Sequence, residues 1–132
     1  MSAFSTFLAN KVIDHMLRNQ AYTTPAAVYV ALFTAADGLE ANTPTAEVLT
    51  SGTGYTRKAV TLAAAANGAT ENNADVLFNA ASANWGTITH AAIMDAATAG
   101  NVLMWKELSA AKTIEATDVF VITAGNLDIT LQ

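Results

Sequence analysis

The side chains able to do chemistry in this chain are few, and their spacing does not bring them together. There are two histidines, His15 and His90, five serines, eleven carboxylates and no cysteine. Neither histidine has a second imidazole or a carboxylate at metal-ligand spacing, such as the i,i+4 pair of a zinc-binding helix. His15 follows Asp14 directly, and neighbouring side chains on a helix diverge. His90 sits inside an apolar run between Thr89 and Ala91. No serine lies in a Gly-x-Ser-x-Gly turn. A carboxylate pair for glycoside hydrolysis needs only two groups about 5–9 Å apart, but the aromatic residues that line sugar sites are thin here. Asp75, Asp95, Glu107, Glu115, Asp118 and Asp128 fall mostly at strand ends and turns, where carboxylates accept backbone hydrogen bonds and keep edges soluble. No acidic loop has calcium-binding spacing. The residues describe a non-enzyme with no catalytic group, no cofactor and no metal.

Charge and length narrow the partners. A net charge of −5, with six basic residues of which only Arg57-Lys58 are adjacent, argues against nucleic acid, because phosphate binding needs clustered Lys and Arg. No run of about 20 apolar residues is present for a membrane span, so no membrane partner is expected. The first residues lack the basic region, apolar core and small-residue cleavage site of a secretory signal. The absence of cysteine suits synthesis in a reducing cytoplasm. Charged residues make up 13% of the chain, about half the usual share. Two readings fit: a surface partly covered by neighbouring subunits, or a small rigid β domain that needs few charges.

The elements that must position these residues are mostly strands. Residues 2–18 form the one helical segment, with Ser2 as N-cap and an Asp14–Arg18 pair at i,i+4. Phe4, Phe7, Leu8, Val12, Ile13, Met16 and Leu17 cover well over half of its circumference, whereas one docking face normally needs a stripe of about 100°. Either a second contact or a groove in the same domain covers the excess. Pro25 ends the helical region. Residues 27–34 are near-continuously apolar and read as a central strand. Residues 37–54 form the longest non-periodic stretch, of a kind that is usually functional or interfacial. Residues 55–62 alternate as a strand, and Asn67-Gly68 is a turn. Strands follow at 74–79, 87–94, 102–108, 119–122 and 127–131, with a Trp85-Gly86 corner, a turn at 95–101, a connector at 110–117 and a hairpin at 124–126.

Short strands at this spacing indicate a mainly β fold, an antiparallel β-sandwich of jelly-roll type with one N-terminal α-helix. A chain of 132 residues is one domain, 1–132, with the sandwich over 26–132. Val28, Val30, Leu32, Val60, Leu62, Phe78, Ile88, Val119, Val121 and Ile129 are expected to point inward. Trp85 or Trp105 is expected in the core.

Several pieces in fixed order resemble a family of small bacteriophage virion proteins, variously tail-fibre-like or capsid decoration (cement) proteins. They are the amphipathic helix, Pro25-Ala-Ala-Val-Tyr-Val-Ala-Leu-Phe-Thr34, and Gly54-Tyr-Thr-Arg-Lys-Ala-Val-Thr61. Ala74-Asp-Val-Leu-Phe78, Asn84-Trp-Gly-Thr-Ile-Thr-His90 and Ala124-Gly-Asn-Leu-Asp-Ile-Thr-Leu131 complete the set. In that pattern Tyr55 and Arg57 share a strand face. The resemblance implies a protein that oligomerises, commonly as a trimer, made in the host cytoplasm and carried on the virion. Its first implication is a capsid cement protein on the head surface, bound to the major capsid protein. The alternative is a tail-fibre or other tail module that binds a host-surface ligand such as carbohydrate. Interface candidates are Phe4, Phe7, Leu8, Val12 and Met16 on the helix, with Tyr55 and Arg57.

Overall fold

The apolar run at residues 28–33 calls for cover on both faces, and in the computed structural model, which describes residues 3–131, it lies near the centre of the main sheet. The elements in chain order are β1 (Ala3–Phe4), α1 (Thr6–Leu17), β2 (Val28–Phe33), β3 (Lys58–Val60), β4 (Ala69–Glu71), β5 (Val76–Leu77), β6 (Gly86–Met94), β7 (Val102–Ile114), β8 (Val121–Ile122) and β9 (Asp128–Thr130). Five strands form an antiparallel sheet in the order β1-β7-β6-β2-β3, and two antiparallel ribbons, β4–β9 and β5–β8, stand beside it. The architecture is mainly β with one helix.

Alternation along β2 divides the apolar side chains between two cores. Val30 and Leu32 join Tyr55, Phe78, Trp85, Ile88, Phe120 and Ile129 in the main core, which the ribbons share with the sheet. Ala31 and Phe33 point to the other face and meet Leu39, Ala92, Met94 and Val102. The long segment 37–54 supplies Leu39 to that second core and Val48 to the first. It is therefore packed structure. Its sharpest bend is at Gly38, with φ +76°, where an added Cβ would lie 1.9 Å from the Thr43 carbonyl oxygen. Gly38→Ala should lower the unfolding free energy by more than about 2 kcal/mol, combining left-handed strain with a backbone clash. Gly52, at φ +72° with nothing within 4 Å, is the control: its alanine variant should lose only about 1 kcal/mol in urea unfolding.

Several expectations are corrected. The strand predicted over 102–108 continues to Ile114, so residues 110–117 are mostly strand and not a connector. Its pairing jumps from Ile88↔Lys112 to His90↔Glu107, leaving residues 108–111 opposite Thr89 alone. This wide bulge interrupts the alternation by which a strand is read. Beyond Trp105 the outer edge of β7 carries Lys106, Glu107 and Lys112 as well as the bulge, features that discourage strand addition. Val119 and Val121 are 50% and 44% exposed, not inward. Phe120 is buried in their place, because a one-residue change of phase exchanges the two faces. Val28 and Leu62 sit half-buried at the rim of the main core. The turn at 124–126 does not close a hairpin: β8 pairs with β5, whereas β9 pairs with β4. Buried Asn72 ties these ribbons together, accepting from Leu127 N at 2.9 Å and donating to the carbonyls of Ala74 and Thr123.

Candidate interaction surface

The helix is clamped at its start. Ser5 is the N-cap, its Oγ accepting from Leu8 N at 3.1 Å and donating to the Val102 carbonyl. The helix expected from residue 2 therefore begins at Thr6, because residues 3–4 pair with β7 as strand and the cap is Ser5; Ser2 itself lies outside the described residues. Ser5 N donates to Leu103 O and Thr6 N to Glu40 O, each at 2.9 Å, while Phe4 pairs with Met104 in the sheet. Phe4, Phe7 and Leu8 pack, half-buried, against the main core. After that turn the helix leaves the body. No α1 residue is buried, and Val12, Ile13, Met16 and Leu17 are exposed, which excludes a groove in the same domain. The helix ends where Arg18 N bonds to Asp14 O and Asn19 adopts φ +55°. Arg18 Nη1 meets Asp14 Oδ1 at 2.8 Å, the i,i+4 pair read from the sequence. Lys11 Nζ lies 5.7 Å from the Phe7 ring centroid. Of the five helix-region candidates, Phe4, Phe7 and Leu8 thus anchor the helix, and Val12 and Met16 lie on its free end.

Tyr55 and Arg57 do share a face, but it turns inward. Tyr55 is buried, its hydroxyl accepting from Leu32 N at 3.0 Å and donating to Glu47 Oε1 at 2.9 Å. Arg57 grips Glu47 with two charge-assisted bonds of 2.8 Å and donates to the carbonyls of Ala96 and Ala99. Hydrogen bonding to Glu47 raises the Arg57 pKa further above its ordinary value. The ring of Tyr55 is therefore unavailable to a partner, and the Arg57 guanidinium is already paired. Burial drives the Tyr55 phenol far above its usual pKa, with the nearby Glu47 charge adding to the effect.

That shift has a sign. A raised folded-state pKa means that the folded chain holds the proton more tightly, so the stabilisation is complete below about pH 10 and declines as pH rises beyond it. Tyr55→Phe should flatten this alkaline decline in a pH series of thermal unfolding. It should also cost about 1–3 kcal/mol at neutral pH, because Leu32 N–H loses its acceptor.

The remaining polar groups are satisfied locally. His90 Nδ1 lies 2.8 Å from Thr89 Oγ1, and His15 Nδ1 2.9 Å from Gln20 O. Trp105 is half-buried beside His90 and donates to Glu40 Oε2 at 3.1 Å. A cleft of about 460 Å³ beside the helix root is lined by Phe7, Lys11, Tyr22, Asp95 and Asn101, among others. Asp95 there is held by Asn101 through bonds of 2.6 and 2.9 Å. Among the described residues, no group of three or more His, Asp or Glu side chains converges as for a metal ion.

A second exposed apolar area was not read from the sequence. Leu77 and Val121 are cross-strand partners on the outward face of the β5–β8 ribbon, and Val119 lies two residues from Val121 on the same side. Nothing in Val119-Phe120-Val121-Ile122 reveals its phase, since every residue is apolar.

Comparison with known proteins places this surface in context. The profile of a protein family described as "Podophage GP4 fiber I protein gp80" matches residues 3–130. No curated protein matches the chain.

Proposed function

Because the chain belongs to the podophage GP4 fiber I protein gp80 family, and is thus a phage virion structural protein of the fibre kind, we propose that it works as a tail-associated fibre module. The observation that carries this is the family match, which spans both the helix and the strands. The sequence resemblance put capsid cement first, with the major capsid protein as partner; the family match supports the fibre alternative better. The protein acts by binding, as a homo-oligomer, without catalysis, cofactor, nucleic acid or membrane. The exposed apolar end of α1 and the outward ribbon support an assembling protein, because contiguous exposed apolar area marks interaction sites. The jelly-roll sandwich belongs to the same proposal, supported by the two ribbons that share a core with the sheet.

Imaging of the particle tests the location. Antibody-gold labelling or particle reconstruction should find this chain confined to the tail. Density spread over the head lattice would instead make it cement, and absence from the particle would overturn both readings.

A further inference from the structure

We propose that the cleft beside the helix root binds a neutral polyhydroxylated ligand, a sugar ring, gripped between the Lys11 ammonium and the Asp95 carboxylate. The inference rests on the binding role proposed above and gives that role a ligand. The cleft encloses about 460 Å³, within the range of about 300–1,000 Å³ that small-molecule sites occupy. Three parts of the chain build it. They are a face of α1 with Phe7 and Lys11, the segment 21–25, and the turn between β6 and β7 with Asp95 and Asn101.

The acidic wall is fixed before any ligand arrives. Asp95 Oδ1 accepts from Asn101 N at 2.6 Å and Oδ2 from Asn101 Nδ2 at 2.9 Å, while Asn101 Oδ1 accepts from Asn42 Nδ2 at 2.9 Å. Each carboxylate oxygen keeps acceptor capacity beyond these bonds. The basic wall is uncommitted: among the described residues the Lys11 ammonium has only the Phe7 ring, 5.7 Å away, as a partner. Lys11 and Asp95 thus line one cleft without forming an ion pair with each other. Burial, and after it the Asp95 charge, raise the pKa of the Tyr22 phenol. That hydroxyl therefore keeps its proton and both donates and accepts.

The lining selects the chemistry of the ligand. An anion would be repelled by Asp95 and a cation by Lys11, and an apolar molecule would strip water from both charges without replacing it. A hydroxyl-bearing ring serves both, donating to the carboxylate and accepting from the ammonium, with Tyr22, Thr23 and Thr24 as further partners. Its C–H face has the apolar surface of Phe7, Tyr22 and Pro25 to lie on. A zwitterion such as a free amino acid fits less well. Asp95 already has Asn101 as donor and the Arg57 charge nearby, and such a ligand leaves the three hydroxyls unused.

Glucose, galactose and N-acetylglucosamine, each titrated into the full chain, test it by heteronuclear NMR. At least one should shift the backbone amides of Tyr22, Thr24 and Asn101 saturably, with a dissociation constant of about 1–10 mM, as befits an open site with few contacts. Lys11→Ala and Tyr22→Ala should each weaken that binding by about threefold or more, with folding checked by circular dichroism. Lys11 is exposed and carries no hydrogen bond, so its variant should fold and decides the matter if the Tyr22 variant does not. Free glycine, titrated in the same way, should leave these amides unmoved. No saturable shift with any of the three sugars, shifts confined to other surfaces, or sugar binding untouched by Lys11→Ala overturns the proposal. Glycine binding more tightly than the sugars overturns it too, in favour of a zwitterion. Each of these failures leaves the tail location standing, whereas a chain found on the head with sugar binding intact overturns the location and not the cleft.

Discussion

Replacing Trp85 by alanine should lower the unfolding free energy by about 3–5 kcal/mol, the usual loss for a large aromatic removed from a well-packed core. The ring is buried, with its centroid 5.4 Å from Tyr55 and 6.4 Å from Phe78. Phe78 in turn stands edge-on to Phe120 at 5.6 Å. Alanine would leave a cavity among rings that other elements hold in place, so the walls cannot readily collapse. It would also remove the 2.9 Å bond from Trp85 Nε1 to the Thr53 carbonyl, which would keep only the N–H of Ser82. Trp105→Ala is the comparison. That ring is only half-buried and its N–H goes to an exposed Glu40, so about 1–2 kcal/mol is expected. Equal losses for the two variants in urea denaturation would show that the aromatic cluster is not the centre of the core.

Glu47→Ala should cost about 2–4 kcal/mol, because it removes one partner of a part-buried charge pair and leaves the more deeply buried cation without its counter-charge. The Arg57 side chain is 7% exposed and its contact with Glu47 is bidentate. Without Glu47 the guanidinium keeps only the carbonyls of Ala96 and Ala99, and the Tyr55 hydroxyl loses its acceptor. Adding Arg57→Met should recover part of the loss, since no uncompensated charge then remains inside. The turn at 95–101 reports the same event. Ala99 is held at φ +52°, a conformation disfavoured for alanine, by a turn whose carbonyls Arg57 grips. Amide exchange at Gly100 and Asn101 should therefore quicken in the Arg57→Met background. Unchanged exchange there would mean that Asp95 and Asn101 hold the turn by themselves.

Some of this was legible in the chain. Val-Tyr-Val-Ala-Leu-Phe could only be a strand covered on both faces, and β2 is one. The helix showed in its apolar excess and in Asp14–Arg18, and one turn in Asn67-Gly68. The pairing of Tyr55 and Arg57 on one face followed from alternation, but not the direction of that face. Glu47, ten residues before Arg57, lies in a segment without periodicity, so nothing local announced it as the group that both would meet. The free end of the helix was hidden for a related reason: a wheel shows that a helix is too apolar, and not which turns its own domain covers. That depended on Ser5, Phe4 and Thr6 reaching β7 and Glu40, far along the chain.

The sequence by itself determined the conformations of most segments: one amphipathic helix, a mainly β remainder, and a chemistry-poor set of polar groups. These depend on dihedral preference and on periods of 3.6 and 2, which neighbouring residues carry. The tertiary structure alone decided which faces are inside. Val119-Phe120-Val121-Ile122 has no polar residue to mark its phase, and only the register Val76↔Ile122 and Leu77↔Val121 turns Val119 and Val121 to solvent. The bulge at 108–111 was equally invisible, because it exists only relative to β6. Strand register comes from partners distant in sequence, and a shift of one residue reverses every side chain. The two exposed apolar surfaces were therefore fixed by pairing and docking, and not by any residue near them in the chain.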